Sequence, residues 1–268
     1  MRKIFLILIV LIMTVFPVAC NENTAEEESA DPQNGSSGNK ETAVLPRTTV
    51  YSVSKEVLTE SVTAEDGTEI IYISSAYPVI SNPGDLESVV LINEMYLEGA
   101  ENYIKAVRND FEQRALDEYS SSPEGFEKYT FVSDVKITYN KNCFLSVKRD
   151  YDECYSGFES KETYAEIFDM TVGAQMYADE IITGSGEDVF KIIFLGFSAV
   201  ADQFPERFVE GYTDLLNSAI SSTEFYLTDS GMVFVLQPGI ATYAEYGCLE
   251  FEMPYEGNEM YFLKLYER

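Results

Sequence analysis

The chain has 268 residues, 46% of them hydrophobic and 13% aromatic, which is enough apolar mass for one large core or two small ones. Its 46 Asp and Glu outnumber 18 Lys and Arg, a formal charge of -28. That balance repels nucleic-acid phosphates, anionic lipid and anionic wall polymers, and argues against nucleic acid as a partner. It attracts cationic partners, by steering that weakens as salt rises; a solvated surface that only maintains solubility is the plainer alternative.

The opening twenty residues, MRKIFLILIVLIMTVFPVAC, place Arg2 and Lys3 before an apolar run from Ile4 to Val18 and end on Ala19-Cys20. A charged start, a short apolar segment and a small residue before the cut predict a signal peptide over 1–19. The run is shorter than the roughly 20 residues that span a bilayer, so a permanent membrane helix is the weaker reading. Ala19-Cys20 resembles the lipobox of bacterial lipoproteins, although Pro17 stands where that family usually has Leu. The resemblance implies lipidation of Cys20, with palmitate-type acyl chains, and a protein anchored in the cell membrane facing outside. At about 0.8 kcal/mol per buried CH₂, two chains hold stably. The segment 20–46 begins NENTAEEESADPQNGSSGNK after the cysteine; it lacks large apolar side chains and is expected to be a disordered linker.

Val50–Val62 and Glu69–Val79 flank Asp66-Gly67 and predict a hairpin, closed by the turn Ser81–Asp85. Val89, Ile92, Tyr96, Ala100, Tyr103, Val107 and Phe111 then recur every three or four residues, the stripe of one long helix with Asp85 as its N-cap. Two long strands are expected around a turn at Asn140-Lys141-Asn142, and a third over Thr163–Asp169. Helices follow at Glu187–Asp202, apolar nearly all round, and at Pro205–Ile220.

Phe225–Phe234 reads as a hairpin turning at Asp-Ser-Gly, with Met232–Leu236 a central strand covered on both sides. Cys248–Tyr255 alternates cleanly and predicts a strand with one wet side; Tyr261–Tyr266 is expected as a last strand. Phe225, Leu227, Val233 and Phe234 read as core, whereas Tyr243, Tyr246 and the Pro238-Gly239 loop are the better candidates for an exposed face. The order implies an α+β fold: antiparallel sheets packed against one long helix and a later helix pair, with two similar halves, 47–175 and 176–268, as one arrangement.

Little chemistry is visible. Without His, a Ser-His-Asp site and a thiol-imidazole pair are excluded, and carboxylate pairs are uninformative among 46 acids. No GxSxG, P-loop, GxGxxG or calcium-loop pattern appears. Beyond Cys20, the thiols Cys143, Cys154 and Cys248 are odd in number and contain no CxxC, so neither a disulfide framework nor zinc is expected. No cofactor, metal or catalytic residue is expected, and no residue is assigned to ligand binding.

Phe225-Tyr226-Leu227-Thr228-Asp229-Ser230-Gly231-Met232-Val233-Phe234, then Ile240 to Ala244 with Gly247, then Pro254-Tyr255, resembles the C-terminal half of RsiV-type extracytoplasmic domains, domain of unknown function 3298. Upstream, Ala76 to Ile80, Ile92-Asn93, Tyr151 to Gly157 and Phe168-Asp169 with Gly173 resemble its companion, domain of unknown function 4163, also found beside PdaC-type deacetylase domains. Ser156-Gly157-Phe158-Glu159 stands where the companion often has Gly-Gly-Ala-His. These residues bring neither anti-sigma control nor deacetylation with them. The resemblance implies a lipid-tethered, non-catalytic binding protein whose ligand is a basic protein such as lysozyme. A module for peptidoglycan or another cell-wall glycan is the alternative, with 19 Tyr in place of the absent Trp.

Overall fold

The computed structural model describes residues 50–81, 86–262 and 265; the leader, Cys20, the 20–46 segment and Asp85 lie outside them. The first hairpin joins β1 (Val53–Thr63) and β2 (Glu69–Ile80), turning at Gly67 with φ 89°. The long helix α1 (Glu87–Ser121) buries Val89, Ile92, Tyr96, Ala100, Ile104, Val107, Phe111 and Ala115 at spacings of three and four. At 1.5 Å per residue its 35 residues span about 50 Å, longer than the strand it follows. It carries the chain back along the sheet, so β3 (Tyr129–Lys141) enters parallel to β2, with Ile71 opposite Tyr129. This parallel pair departs from the antiparallel expectation for a simple reason: a strand that follows a crossover helix returns in the same direction.

β4 (Phe144–Tyr155), β5 (Phe158–Asp169) and the two-residue β6 (Ala174–Gln175) add antiparallel neighbours, giving a six-stranded sheet in chain order. The β3–β4 turn falls at Asn142-Cys143, two residues later than the pattern begins, because both carry the left-handed φ of a tight hairpin, 54° and 62°. Cys143 thus sits in the turn and Cys154 in β4, and Cys143, Cys154 and Cys248 form no disulfide among the described residues. The third strand begins at Phe158, earlier than its apolar run, because the Ser156-Gly157 turn pairs Tyr155 with Phe158.

After the short α2 (Ala178–Ile181), α3 (Gly186–Gln203) opens on a capping box in which Asp188 N donates to Ser185 Oγ at 3.3 Å and Ser185 N to Asp188 Oδ2 at 2.9 Å. Its burial is one-sided: Val189, Ile193, Phe197 and Ala201 are buried while Phe190 and Leu195 are exposed. The helix expected from Pro205 breaks in two. Pro205–Arg207 is one 3-10 turn, Phe208 bridges to Thr242, and Gly211 at φ 73° restarts the chain as α4 (Tyr212–Ala219).

β7 (Glu224–Leu227), β8 (Gly231–Leu236) and β9 (Leu249–Pro254) form the second sheet, with β8 central and buried throughout. Its period of two splits its burial. Met232, Phe234 and Leu236 join α3 and α4 in the main core, while Val233 and Val235 pack with Tyr226 and Ala165 of β5. Tyr139, Phe144 and Ile167 of the six-stranded sheet belong to that same main core. No strand forms at Tyr261: Glu259–Tyr261 is a 3-10 turn, held where Thr183 N donates to Tyr261 O at 2.7 Å, and Phe262 is buried.

Three side-chain amides close backbone groups that no strand reaches. Asn93 accepts from Ile80 N at 2.8 Å and donates to Ile80 O at 2.9 Å; Asn140 does the same for Tyr51 at 3.1 and 2.7 Å. Gln237 accepts from Thr163 N at 3.3 Å and donates to Thr163 O, so the outer edge of β5 is partly paired. On the other side of the second sheet, Gly196 of α3 sits where a Cβ would lie 2.3 Å from the Phe251 ring, itself held between Phe197 and Phe234. Gly196→Ala should therefore destabilise the fold by about 1–3 kcal/mol, measured as a fall in the urea midpoint with unchanged slope.

Candidate functional site

One flank of α1 and one face of β4 and β5 put a polar, aromatic strip together. On the helix, Tyr96, Gly99 and Tyr103 recur at three and four residues. On β4, Arg149, Tyr151 and Glu153 alternate toward the helix, and the register sets Tyr164 opposite Arg149, Glu162 opposite Tyr151 and Glu166 opposite Val147. The other face of these two strands, with Ser146, Thr163 and Ala165, meets the second sheet, where Ser146 Oγ accepts from Leu227 N at 3.1 Å.

At the buried end of the strip Tyr96 donates to Glu166 Oε2 at 2.8 Å, and Arg149 Nη2 lies 3.4 Å from the same oxygen. The guanidinium also donates to Tyr151 OH at 3.1 Å and stands 5.4 Å over the Tyr96 ring. Gly99 faces the guanidinium, and a Cβ there would reach ordinary contact with Arg149 Nη1 at 4.0 Å. Towards solvent, Tyr103 and Tyr151 meet edge-on with centroids 5.2 Å apart, and Tyr151 and Tyr164 at 5.5 Å. Tyr103 donates to Glu153 Oε1 at 3.3 Å and Tyr164 to Glu162 Oε2 at 2.7 Å. Glu224 of β7 closes the end beside Glu166, accepting from Ala165 N at 3.2 Å.

Four carboxylates, Glu153, Glu162, Glu166 and Glu224, thus line the strip, and Glu166 is paired with the Arg149 guanidinium. Desolvation pushes the Glu153 carboxyl above its ordinary range; the Tyr103 hydrogen bond opposes this and Glu162 adds to it. Burial does the same to Glu224, partly offset by the Ala165 amide and reinforced by Glu166. Burial beside carboxylates also holds the phenols of Tyr96, Tyr103 and Tyr164 neutral, with pKa values above the usual phenol range. The half-exposed part of the strip is therefore a set of ring faces and partly desolvated carboxylates short of positive charge. Such a surface gains when an ammonium or guanidinium enters, both by Coulomb attraction at reduced dielectric and by contact with the rings.

Of the residues marked by the sequence, Phe225 is half-buried, Leu227, Val233 and Phe234 are buried, and Tyr243 and Tyr246 are 45% and 39% exposed. The strip itself was missed. Its signal lay in the period of two through Arg149, Tyr151 and Glu153, set beside the mate strand through Glu162, Tyr164 and Glu166. Among the described residues no three His, Cys, Asp or Glu side chains are grouped to hold a metal, and no helix is long and apolar enough to cross a membrane.

The fold is that of a mixed α+β domain shared with solved proteins. A crystal structure of a DUF3298 family member from Bacteroides fragilis superposes with a TM-score of 0.61 at 15% identity, covering 82% of this chain and all of that one. A DUF3298 family protein from Pseudomonas aeruginosa superposes with a TM-score of 0.51 at 10% identity, covering 82% of this chain and 98% of that one. No protein-family model and no curated protein matches the sequence.

The raised carboxyl of Glu153 gives a sign for its effect on stability. A folded-state pKa above the ordinary 4.5 means the ionised group opposes folding at neutral pH, and the opposition fades as pH falls through the folded value. Glu153→Gln should raise Tm at pH 7 by about 2–4 °C, the equivalent of about 1 kcal/mol in a domain of this size. The gain should vanish in thermal melts run below the ordinary carboxyl pKa, where both proteins are neutral at this position.

Proposed function

We propose that this chain is a non-catalytic binding protein of the RsiV-like, DUF3298-containing kind, lipidated at Cys20 and held at the outer face of the cell membrane. In this reading residues 47–175 and 176–268 correspond to the companion and C-terminal parts of that arrangement. Its ligand is a cationic protein of the lysozyme type, and the strip between α1 and β5 receives that protein's Lys or Arg side chains. The observation that supports this most is the half-buried Glu153 and Glu224, whose carboxyls are raised by desolvation although a single Arg149 is the only cation paired with the strip among the described residues. Holding carboxylates in that condition costs stability, and a cationic ligand offsets the cost. The overall charge of -28 supplies the long-range attraction.

A glycan-binding role is a second reading, favoured by the exposed rings of Tyr243 and Tyr246.

Lysozyme immobilised on a sensor surface should retain the protein at about 0.01 M salt and more weakly at about 0.15 M, where the Debye length is about 8 Å. Replacing both Glu153 and Glu162 by Gln should weaken binding about tenfold or more through faster dissociation, about 1.4 kcal/mol. No retention of the parent protein at either salt concentration would end the proposal.

A further inference from the structure

Away from the acidic strip, Arg207 is set unlike most of the other basic residues that the structure describes. Lys55, Lys105, Arg108, Lys128, Lys141, Lys148, Arg149 and Lys161 each lie within 4.0 Å of a carboxylate. Arg207 has no such ion pair among the described residues, although Glu206 and Glu210 are its near neighbours in sequence. Its guanidinium carbon instead stands 4.9 Å from the centroid of the Phe204 ring and 5.7 Å from that of Tyr246. Its Nε is sealed from solvent with no acceptor among the described residues, which leaves the Nη nitrogens as the donors.

The backbone holds this arrangement in place. Tyr243 N donates to Arg207 O at 3.0 Å and Val209 N to Ala241 O at 3.1 Å across the Phe208–Thr242 bridge, so the 238–247 loop is tied to the segment that carries the arginine. The two rings beside it are turned outward, Phe204 41% and Tyr246 39% exposed, and Tyr243, which bonds Arg207 through its backbone, also presents an exposed ring. A planar fork of donors without a counter-ion, flanked by accessible rings with phenolic tips, matches one ligand chemistry well. It suits a carboxylate borne on a hydroxylated pyranose ring, which takes paired N–H donors at its anionic group and aromatic contact on the C–H face of its chair. The patch is carried by one loop and one helical turn, a size suited to a single ring rather than to a protein interface.

We propose that Arg207, with Phe204, Tyr243 and Tyr246, forms a subsite for an acidic saccharide unit, the guanidinium pairing with the sugar's carboxylate while its ring lies against the aromatic faces. The subsite shares no residue with the acidic strip and is independent of lysozyme binding. Arg207→Gln should leave lysozyme retention unchanged, so failure of one reading is distinguishable from failure of the other.

The test is calorimetric titration of the full-length protein in detergent micelles with glucuronate, glucose and acetate as probes. Glucuronate is expected to bind with a Kd of about 1 mM, and glucose, the same ring without the carboxylate, at least about tenfold more weakly. Arg207→Gln should lose about tenfold for glucuronate, Arg207→Lys less, because the ammonium keeps the charge and loses the fork. Tyr246→Ser should weaken glucuronate and leave acetate unchanged, and far-UV circular dichroism with thermal melting establishes that each variant folds. Equal affinity for glucuronate and glucose would overturn the proposal. So would acetate binding as tightly as glucuronate, no measurable heat with glucuronate, or a folded Arg207→Gln that binds glucuronate as the parent does.

Discussion

The period of two along β4 and β5 is the constraint from which both the packing and the candidate site follow. Each residue of these strands points to one of two surfaces, and the two surfaces have opposite requirements. Towards the second sheet, Ser146, Thr163 and Ala165 are small enough for β7 and β8 to approach, and Ile167 continues into the main core. Towards α1, the same strands present Arg149, Tyr151, Glu153, Glu162, Tyr164 and Glu166. A slip of one residue in β5 would put the Glu166 carboxylate into the main-core position of Ile167 and turn Ile167 towards the polar strip. Burial on one side thus holds the polar strip in place on the other.

The helix uses the same economy of space. α1 buries its stripe over β2 and β3 and also meets Leu145, Val147 and Tyr155 of β4 and Phe168 of β5, while Tyr96 and Tyr103 reach the polar strip of β4 and β5. The sheet therefore extends beyond the helix, and its last strands are neither fully covered nor fully wet. Carboxylates in that intermediate position lose hydration without gaining enough partners, which raises the Glu153 and Glu224 carboxyls. At the outer edge of β5, side chains replace the missing strand: Gln237 pairs with Thr163 and Glu224 with Ala165. These bonds blunt an edge that could otherwise pair with another chain.

The opposite charge of Arg207 is held by different means. Carboxylate neighbours are absent within 4.0 Å among the described residues, and two rings flank the guanidinium instead. Two backbone bonds tie the 238–247 loop to the segment that carries Arg207, and this arrangement is the basis of the anion subsite proposed above, set against the protein's overall field. The acidic strip and the arginine clamp are thus two chemically opposite surfaces on one fold.

Much of the architecture was legible from local pattern. The α1 stripe, the first hairpin, the two-sided burial of β8 and the alternation of β9 follow from periods of 3.6 and 2, which depend only on backbone geometry and on the cost of exposing apolar side chains. The exposure of Tyr243 and Tyr246 was also readable, from their place in a Pro-Gly loop. Where local signals compete with distant contacts they mislead. The Pro205 segment reads as one helix, yet Phe208 is drawn out of it to bridge Thr242, and Tyr261 is drawn from a strand by its bond to Thr183. The parallel entry of β3, the meeting of Tyr103 with Glu153 across 50 positions and the enclosure of Arg207 by Tyr246 depend on which surfaces are brought together. Periodicity assigns each residue to a face; only packing between elements far apart in the chain, and the desolvation that comes with it, settles what that face meets and how its charges behave.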